Sequence, residues 1–296
     1  CRRPDGIAGF HNDSKMKTNA FKTRSVNCAL AFALFSAGGA HAQTTPDPVA
    51  IILDGNTSYD GWNNLTSANY PGFPAFPGTG NWPPAIVANT PGSGDAIFNK
   101  IANGNGGGAD PAGSSIYNGG FSADPNTQGA TFAVADATPL ASLQTVIFQL
   151  DIGEAFGLDL YNGTAPTLTY TTSFGTFTAA PAFSDVLIRY DTGESVDMPI
   201  GPDGELEPVE IYQNLRAYQF DLSGVGDPID SFEIDYTGVQ HSQIYAMQLD
   251  QSDAVYSQPA YIQAVPEPST YALASLTGGF LLLHTLRRKV KSSRPA

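Results

Sequence analysis

Carboxylates are the most abundant side chains that could bind a metal or act in catalysis between residues 43 and 265. This segment has 25 acidic residues and three basic ones. Asp54 and Asp60 follow a strand predicted over 49–53, and Asp250 follows the last predicted strand. Proteins bind Ca²⁺ through roughly six to eight oxygens from carboxylates, carbonyls and water. If the first and last strands are neighbours, these three aspartates converge on one structural calcium site. The alternative is that they are ordinary solvated turn residues.

Aromatic residues form a second group, in a segment rich in Gly, Pro and Asn that extends from Gly55 to about Gly129. Flat rings on loops can stack on sugar rings, although large rings mostly serve burial in the core. The sequence therefore predicts glycan contacts here, with the alternative that the rings pin a long loop onto the core. The candidate residues are Tyr59, Trp62, Tyr70 and Trp82.

Catalytic motifs are missing from the sequence between residues 43 and 265. His241 is the one histidine there, and no Gly-x-Ser-x-Gly elbow supplies a serine for it. There is also no His-Glu-x-x-His and no Walker loop. His241 lies between two predicted strands, which is typical of a turn histidine bonded to the backbone. Paired carboxylates for glycoside hydrolysis stay open as an alternative, but the sequence favours a protein that is not an enzyme.

The charge balance excludes one class of partner. Residues 43–265 carry a formal net charge of −22, against −14 for the whole chain of 296 residues. Their basic residues are Lys100, Arg189 and Arg216. Without a basic patch to neutralise phosphates, nucleic-acid binding is excluded. Both cysteines, Cys1 and Cys28, lie outside this segment, so its core must stabilise it without a disulfide.

Short runs that alternate between apolar and polar residues indicate the fold. In 231–236, for example, Phe232, Ile234 and Tyr236 face one way. The same alternation places Tyr218, Phe220 and Leu222 together, and likewise Tyr245, Met247 and Leu249. Strands are predicted over 49–53, 96–101, 130–135, 145–150, 167–172, 186–190, 217–222, 231–236 and 244–249.

Many short strands, each with one solvent-exposed face, are typical of antiparallel sheets packed as a sandwich. We predict an all-β fold: a single antiparallel β-sandwich of jelly-roll type over residues 43–255, with long loops in its N-terminal half. A short linker is expected over 256–264. The domain is expected to be flanked by a signal peptide and a C-terminal transmembrane helix.

The N-terminal part has the three regions of a secretory signal peptide. After Met16 come three basic residues, then the apolar run 28–35, then Ala40-His41-Ala42. The run is too short for a membrane span, which needs about 20 residues. We expect residues 16–42 to be exported by the Sec translocase and removed by signal peptidase after Ala42, with Ala40 and Ala42 as the small residues of the cleavage site. Residues 1–15 are expected to be an over-extended gene model.

The C-terminal part also has three regions. Pro266 and Pro268 keep the chain extended. Residues 271–286 are apolar and uncharged, and as a helix they would be roughly 24 Å long, short for a membrane span but workable with basic flanks. The basic cluster over 287–294 is expected to stay cytoplasmic by the positive-inside rule.

This tail resembles the PEP-CTERM sorting signal over about the last thirty residues. The matching residues are Val265, Pro266, Glu267 and Pro268, followed by the apolar stretch and by Arg287, Arg288 and Lys289. The resemblance implies recognition by an exosortase, transient anchoring in the inner membrane, and a final location at the cell surface or in the extracellular matrix of a Gram-negative-type bacterium. Members of that group tend to occur in bacteria that make exopolysaccharide.

Together these features predict an exported, non-catalytic surface or matrix protein that interacts with extracellular polysaccharide. One alternative is a secreted polysaccharide-degrading enzyme that uses paired carboxylates. Another is a purely structural envelope component without a small ligand.

Overall fold

The computed structural model describes residues 46–199 and 205–262. The predicted signal peptide and sorting tail lie outside these residues. No helix within the described ranges has the length and apolar character needed to cross a membrane. The strands are β1 Thr57–Trp62, β2 Ile86–Val87, β3 Ile97–Ala102, β4 Ala109–Pro111, β5 Ile116–Asn118, β6 Gln128–Asp136, β7 Thr145–Gly153, β8 Thr167–Thr172, β9 Gly175–Ala179, β10 Phe183–Pro199, β11 Leu206–Asp221, β12 Ile229–Val239 and β13 Gln243–Ser252.

The strands form two antiparallel sheets. Sheet I has the order β10-β11-β7-β13-β5-β4, with β1 also paired to β13, and sheet II has the order β2-β3-β6-β12-β8-β9. Apolar side chains of both sheets share one buried cluster, which includes Phe98, Phe132 and Ile234 of sheet II and Phe148 and Phe220 of sheet I. The predicted all-β, two-sheet, sandwich-like arrangement is therefore confirmed.

Most predicted strands coincide with observed ones, but the first does not. Residues 49–53 have no strand pairing. Instead, the side chain of Gln149 binds both main-chain groups of Val49, with distances of 3.0 Å and 2.8 Å. Gln248 donates a further bond to the carbonyl of Val49. Side chains of sheet I thus take the main-chain hydrogen bonds of Val49. The segment runs over the outer face of sheet I and does not pair with an edge strand of the sheet.

Alternation predicted the buried side of β11 and β12 correctly. Phe220 and Ile234 are fully buried, and Tyr218, Leu222, Phe232 and Tyr236 are nearly so. In β13, however, the register with β7 shifts between Ile244 and Ala246. A bulge of this kind reverses the direction of the extra residue. Tyr245 is therefore half-buried on the outer face while Ile244 is in the core, so the prediction that Tyr245 shares a face with Met247 is wrong.

A second, smaller hydrophobic cluster lies on the outer face of sheet I. Ile147 of β7 and Ala217 of β11 are buried there under both ends of the described chain. The residues that cover them are Ile51, Leu53, Tyr256, Ala260 and Tyr261. Tyr256, Ala260 and Tyr261 of the predicted linker thus pack on the sheet. It also explains why β7 is buried along its whole length.

Phe98→Ala tests the core. Phe98 is fully buried against Trp82 and Phe132, so the variant should lose about 3–5 kcal/mol of unfolding free energy. Urea denaturation measures the loss. As a control, Phe174→Ala removes a ring that is 75% exposed and should change stability by less than about 0.5 kcal/mol. Equal losses in both variants would contradict this description of the core.

Candidate functional site

The two tryptophans predicted to contact glycan are core residues. Trp62 is 0% exposed and Trp82 is 7% exposed. Each indole donates a hydrogen bond to a main-chain carbonyl, Trp62 to Ile86 at 3.0 Å and Trp82 to Ala109 at 2.9 Å. Rings enclosed in this way cannot stack on a sugar. The structure thus corrects the glycan prediction for both residues, and they hold the long loops on the core.

The two predicted tyrosines are half-buried and lie apart from a common surface. The hydroxyl of Tyr59 is 2.8 Å from the Thr90 hydroxyl. The Tyr70 hydroxyl accepts a hydrogen bond from Asn89 at 3.1 Å, and its ring packs edge-on against Phe73. Both hydroxyls thus have partners within the protein, and the structure does not bring Tyr59, Tyr70 and the tryptophans together as one stacking surface.

The aspartates predicted to bind calcium have backbones that lie close together, but their side chains do not converge on one point. The predicted first strand, 49–53, forms no ladder, but β1 follows it and pairs with β13, so that Asp60 lies opposite Leu249 and Tyr59 lies opposite Asp250. Directly opposed residues share a face, so Asp60 points to the core side with Leu249 and Asp250 to the outer side. Asp54 has an exposed side chain and is bound through its carbonyl, which accepts from Ser252 at 2.7 Å.

Protein donors surround both buried carboxyls. Burial raises the pKa of Asp60 to about 6, partly offset by a hydrogen bond from the Ala96 amide. Burial raises the pKa of Asp250 to about 7, partly offset by the amides of Gln248 and Gln149. Within the described ranges, no group of three or more His, Cys, Asp or Glu side chains is arranged to hold a metal ion. Structural calcium stays a prediction.

A third buried carboxyl, Asp151, lies on the outer face of sheet I. Both of its oxygens accept from the amide of Gln213, at 2.8 Å and 2.9 Å. Burial raises its pKa to about 8, the Gln213 bonds oppose this effect, and the charge of Asp47 adds to it. At neutral pH this carboxyl therefore retains its proton in the folded protein.

Asp151 makes stability depend on pH with a predictable sign. An exposed aspartate has a pKa of about 3.9, so folding binds a proton between about pH 4 and pH 8. The unfolding free energy should fall with rising pH across this window, by at most about 1.4 kcal/mol per pH unit from this group.

In Asp151→Asn the contribution of this group to the pH dependence of the unfolding free energy should disappear. Urea denaturation at pH 5.5 and pH 7.5 measures this dependence. The exposed Asp227→Asn serves as the control and should keep the wild-type slope. An unchanged slope in Asp151→Asn would show that its carboxyl ionises normally in the folded state.

The structure does assemble a ring surface, at the end of sheet I where β5 pairs with β13. We call it the end platform and define it as Phe76, Tyr117, Phe121, Phe156 and His241. Successive ring centroids are 5.1 Å apart for Phe121 and Phe76, 6.3 Å for Phe76 and Tyr117, 6.0 Å for Tyr117 and His241, and 6.4 Å for His241 and Phe156. Phe121 is 74% exposed and Phe76 is 49% exposed.

The rings of the end platform come from four segments of the chain. Tyr117 is in β5, and Phe121 lies three residues after the end of that strand. His241 is in the turn between β12 and β13, and Phe156 is in the turn after β7. Phe76 precedes Gly78, whose added Cβ would lie 2.5 Å from the Ala109 carbonyl carbon, so only glycine lets this loop approach β4.

Two platform residues have strained backbones. Phe156 has φ 55° and His241 has φ 70°. For a bulky residue such as phenylalanine a positive φ is a genuine outlier, and such strain concentrates at functional sites. The imidazole of His241 is fixed by the Tyr117 hydroxyl at 2.5 Å and the Ser122 carbonyl at 2.8 Å. The prediction of a turn histidine bonded to the backbone is confirmed.

A cavity of about 170 Å³ adjoins the end platform, lined in part by Tyr117, Phe156 and His241. On its other side lie residues of the outer halves of β10 and β11, over 191–199 and 206–212, which pair with each other beyond the end of β7. Glu154 also lines it. Burial alone would raise the pKa of Glu154, but hydrogen bonds from Arg189 and Asn214 outweigh that effect and lower it. The Glu154 carboxylate is thus charged and bonded.

Asp110 lies beside the end platform and has an unused acceptor. It is directly opposite Tyr117 in the β4–β5 ladder, so the two share a face. Asp110 is 7% exposed, and its Oδ1 has no hydrogen-bond partner among the described residues. Burial raises its pKa to about 6, and the nearby Lys100 opposes the rise. Sequence reasoning missed this residue because nothing in its neighbours marks a buried acid.

One pair of acidic residues lies on the outer face of sheet II. Glu233 and Asp235 are two residues apart on β12, and burial is the main cause that raises both pKa values. Oδ1 of Asp235 is buried and has no hydrogen-bond partner among the described residues. Asp235 lines a cavity of about 310 Å³ with Tyr161 and several threonines. Paired carboxylates for glycoside hydrolysis stay an open alternative.

Comparison with known proteins adds no relative: no protein-family model matches the chain, and searches of curated proteins and of solved structures found no significant similarity.

Proposed function

We propose that this chain is an exported, exosortase-sorted protein of the cell surface or extracellular matrix. In this proposal its sandwich domain is not an enzyme and interacts with extracellular polysaccharide through the end platform. The carrying observation is the row of rings beside a cavity, two of them exposed and three half-buried, with two of the rings on strained turns. Stacking on the apolar face of a sugar suits such rings, and nearby carboxylates and amides can bind its hydroxyls.

A jelly-roll topology is the finer part of the proposal for the fold. The strand orders support it. When β1, β6, β7, β8, β9, β11, β12 and β13 are numbered from 1 to 8 along the chain, sheet I contains the order 1-8-3-6 and sheet II contains 2-7-4-5. These are the orders that two interlocked Greek keys produce. The remaining strands would then be additions at the sheet edges.

Binding by the exported protein to a panel of bacterial and algal polysaccharides tests the function. Phe121→Ala should weaken binding about fivefold or more, since truncating an aromatic anchor commonly costs about 1 kcal/mol or more. Phe174→Ala is the matched control, because its ring is 75% exposed against 74% for Phe121. Chelator added to the same assay tests the proposed calcium. No binding, or equal loss in both variants, would contradict a role for the end platform.

The sorting proposal is tested separately in a bacterium that has an exosortase. Replacing Pro266, Glu267 and Pro268 by alanine should leave the protein in the inner-membrane fraction with its tail intact. The unaltered chain should lose the tail and appear outside the cell. Cell fractionation and intact-mass measurement distinguish the two. Identical processing of both chains would show that the Pro-Glu-Pro motif does not direct sorting.

A further inference from the structure

Every lysine and arginine in the described part of the chain is bound internally. Lys100 donates to the carbonyls of Gly78 and Gly80. Arg216 binds the Asp159 carboxylate. Arg189 binds the Glu154 carboxylate through two hydrogen bonds of 2.8 Å, and its guanidinium lies 3.5 Å from the centre of the Tyr212 ring. The Arg189 side chain is 48% exposed, but its charge is paired with Glu154, so the described ranges hold no unpaired basic side chain for a carboxylate or sulfate on a ligand.

Acidic residues, in contrast, lie beside the end platform. Asp110 shares a face with Tyr117 and has Lys100 nearby, but its Oδ1 has no hydrogen-bond partner among the described residues. Glu210 lines the adjoining cavity. The amide of Asp124 donates to the hydroxyl of Ser122, the residue whose carbonyl binds His241. Arg189, near the cavity, is paired with Glu154. Neither Asp124 nor Glu210 forms an ion pair within the described ranges, so the unpaired charge beside the rings is negative.

This combination selects among polysaccharides by charge. An acidic polymer would bring its carboxylates or sulfates against like charges, while the basic residues nearby are already paired, which is unfavourable. An ammonium group gains from carboxylates and from the faces of aromatic rings. Resting on the proposed function, we infer that the ligand of the end platform is a polysaccharide with free amino groups, whose ammonium groups meet the acidic residues while its sugar rings stack on Phe76 and Phe121.

Two oligosaccharides that differ only in acetylation give the sharpest test. The exported protein is titrated with a glucosamine oligomer that has free amines and with the same oligomer fully N-acetylated. Binding should be at least about tenfold tighter for the free-amine oligomer and should weaken as salt is added, because salt screens exposed charges. An oligomer of uronic acids should not bind. Equal affinity for the acetylated form, or binding of the uronic acid oligomer, overturns the inference.

Two glutamates of β11 provide a charge variant and its control. Glu210→Gln should lower affinity for the free-amine oligomer about threefold or more and reduce its salt dependence. Glu207→Gln, which also neutralises an exposed glutamate of β11 but one that does not line the cavity, should change neither. If both variants bind as tightly as the unaltered protein, charge does not select the ligand.

Phe121→Ala separates failure of this inference from failure of the proposed function. If both oligomers bind equally and both lose affinity in Phe121→Ala, the end platform binds glycan but does not select amines, so only the inference is overturned. If Phe121→Ala binds every oligomer as tightly as the unaltered protein, the end platform is not the site and both fail.

Discussion

The pairing of β13 is the interaction on which the rest of the structure depends. This strand pairs with β7 along one edge, and with β1 and β5 along the other. Three of the five platform rings are placed by it: His241 precedes it, Tyr117 lies in β5, and Phe156 follows β7. The end platform is therefore built at the point where β13 begins, and its geometry depends on the register of these ladders.

The few basic residues between residues 43 and 265 all serve to hold loops. With no cysteine in this segment, the loops must be held by packing and hydrogen bonds. Lys100 holds the loop that carries Gly78 and Gly80, while Arg189 and Arg216 hold the turn after β7 through Glu154 and Asp159. Because each of these positive charges is paired inside the fold, the unpaired charge of the described part is negative.

The sequence predicted the fold better than the site, and the reason is physical. Alternation is a local signal, so it located β8 and the buried faces of β11 and β12. It failed where the structure depends on more than the local pattern. The strand predicted over 49–53 does not form because Gln149 and Gln248 bind Val49, and a bulge turns Tyr245 to the outer face. The end platform joins rings from four segments that are far apart along the chain, so no single stretch of sequence indicates it. Tryptophans in a loop-rich segment pointed instead to surface contacts, but tertiary packing buries them.

We propose that the ligand binds at the end platform. Amide hydrogen exchange, measured on the exported protein with and without a bound oligosaccharide, tests it most directly because it reports every face at once. The account predicts new protection over 117–124, 154–158 and 240–242. Protection confined to the outer face of sheet II, over 161–167 and 233–237, would contradict it and would direct attention to Glu233 and Asp235.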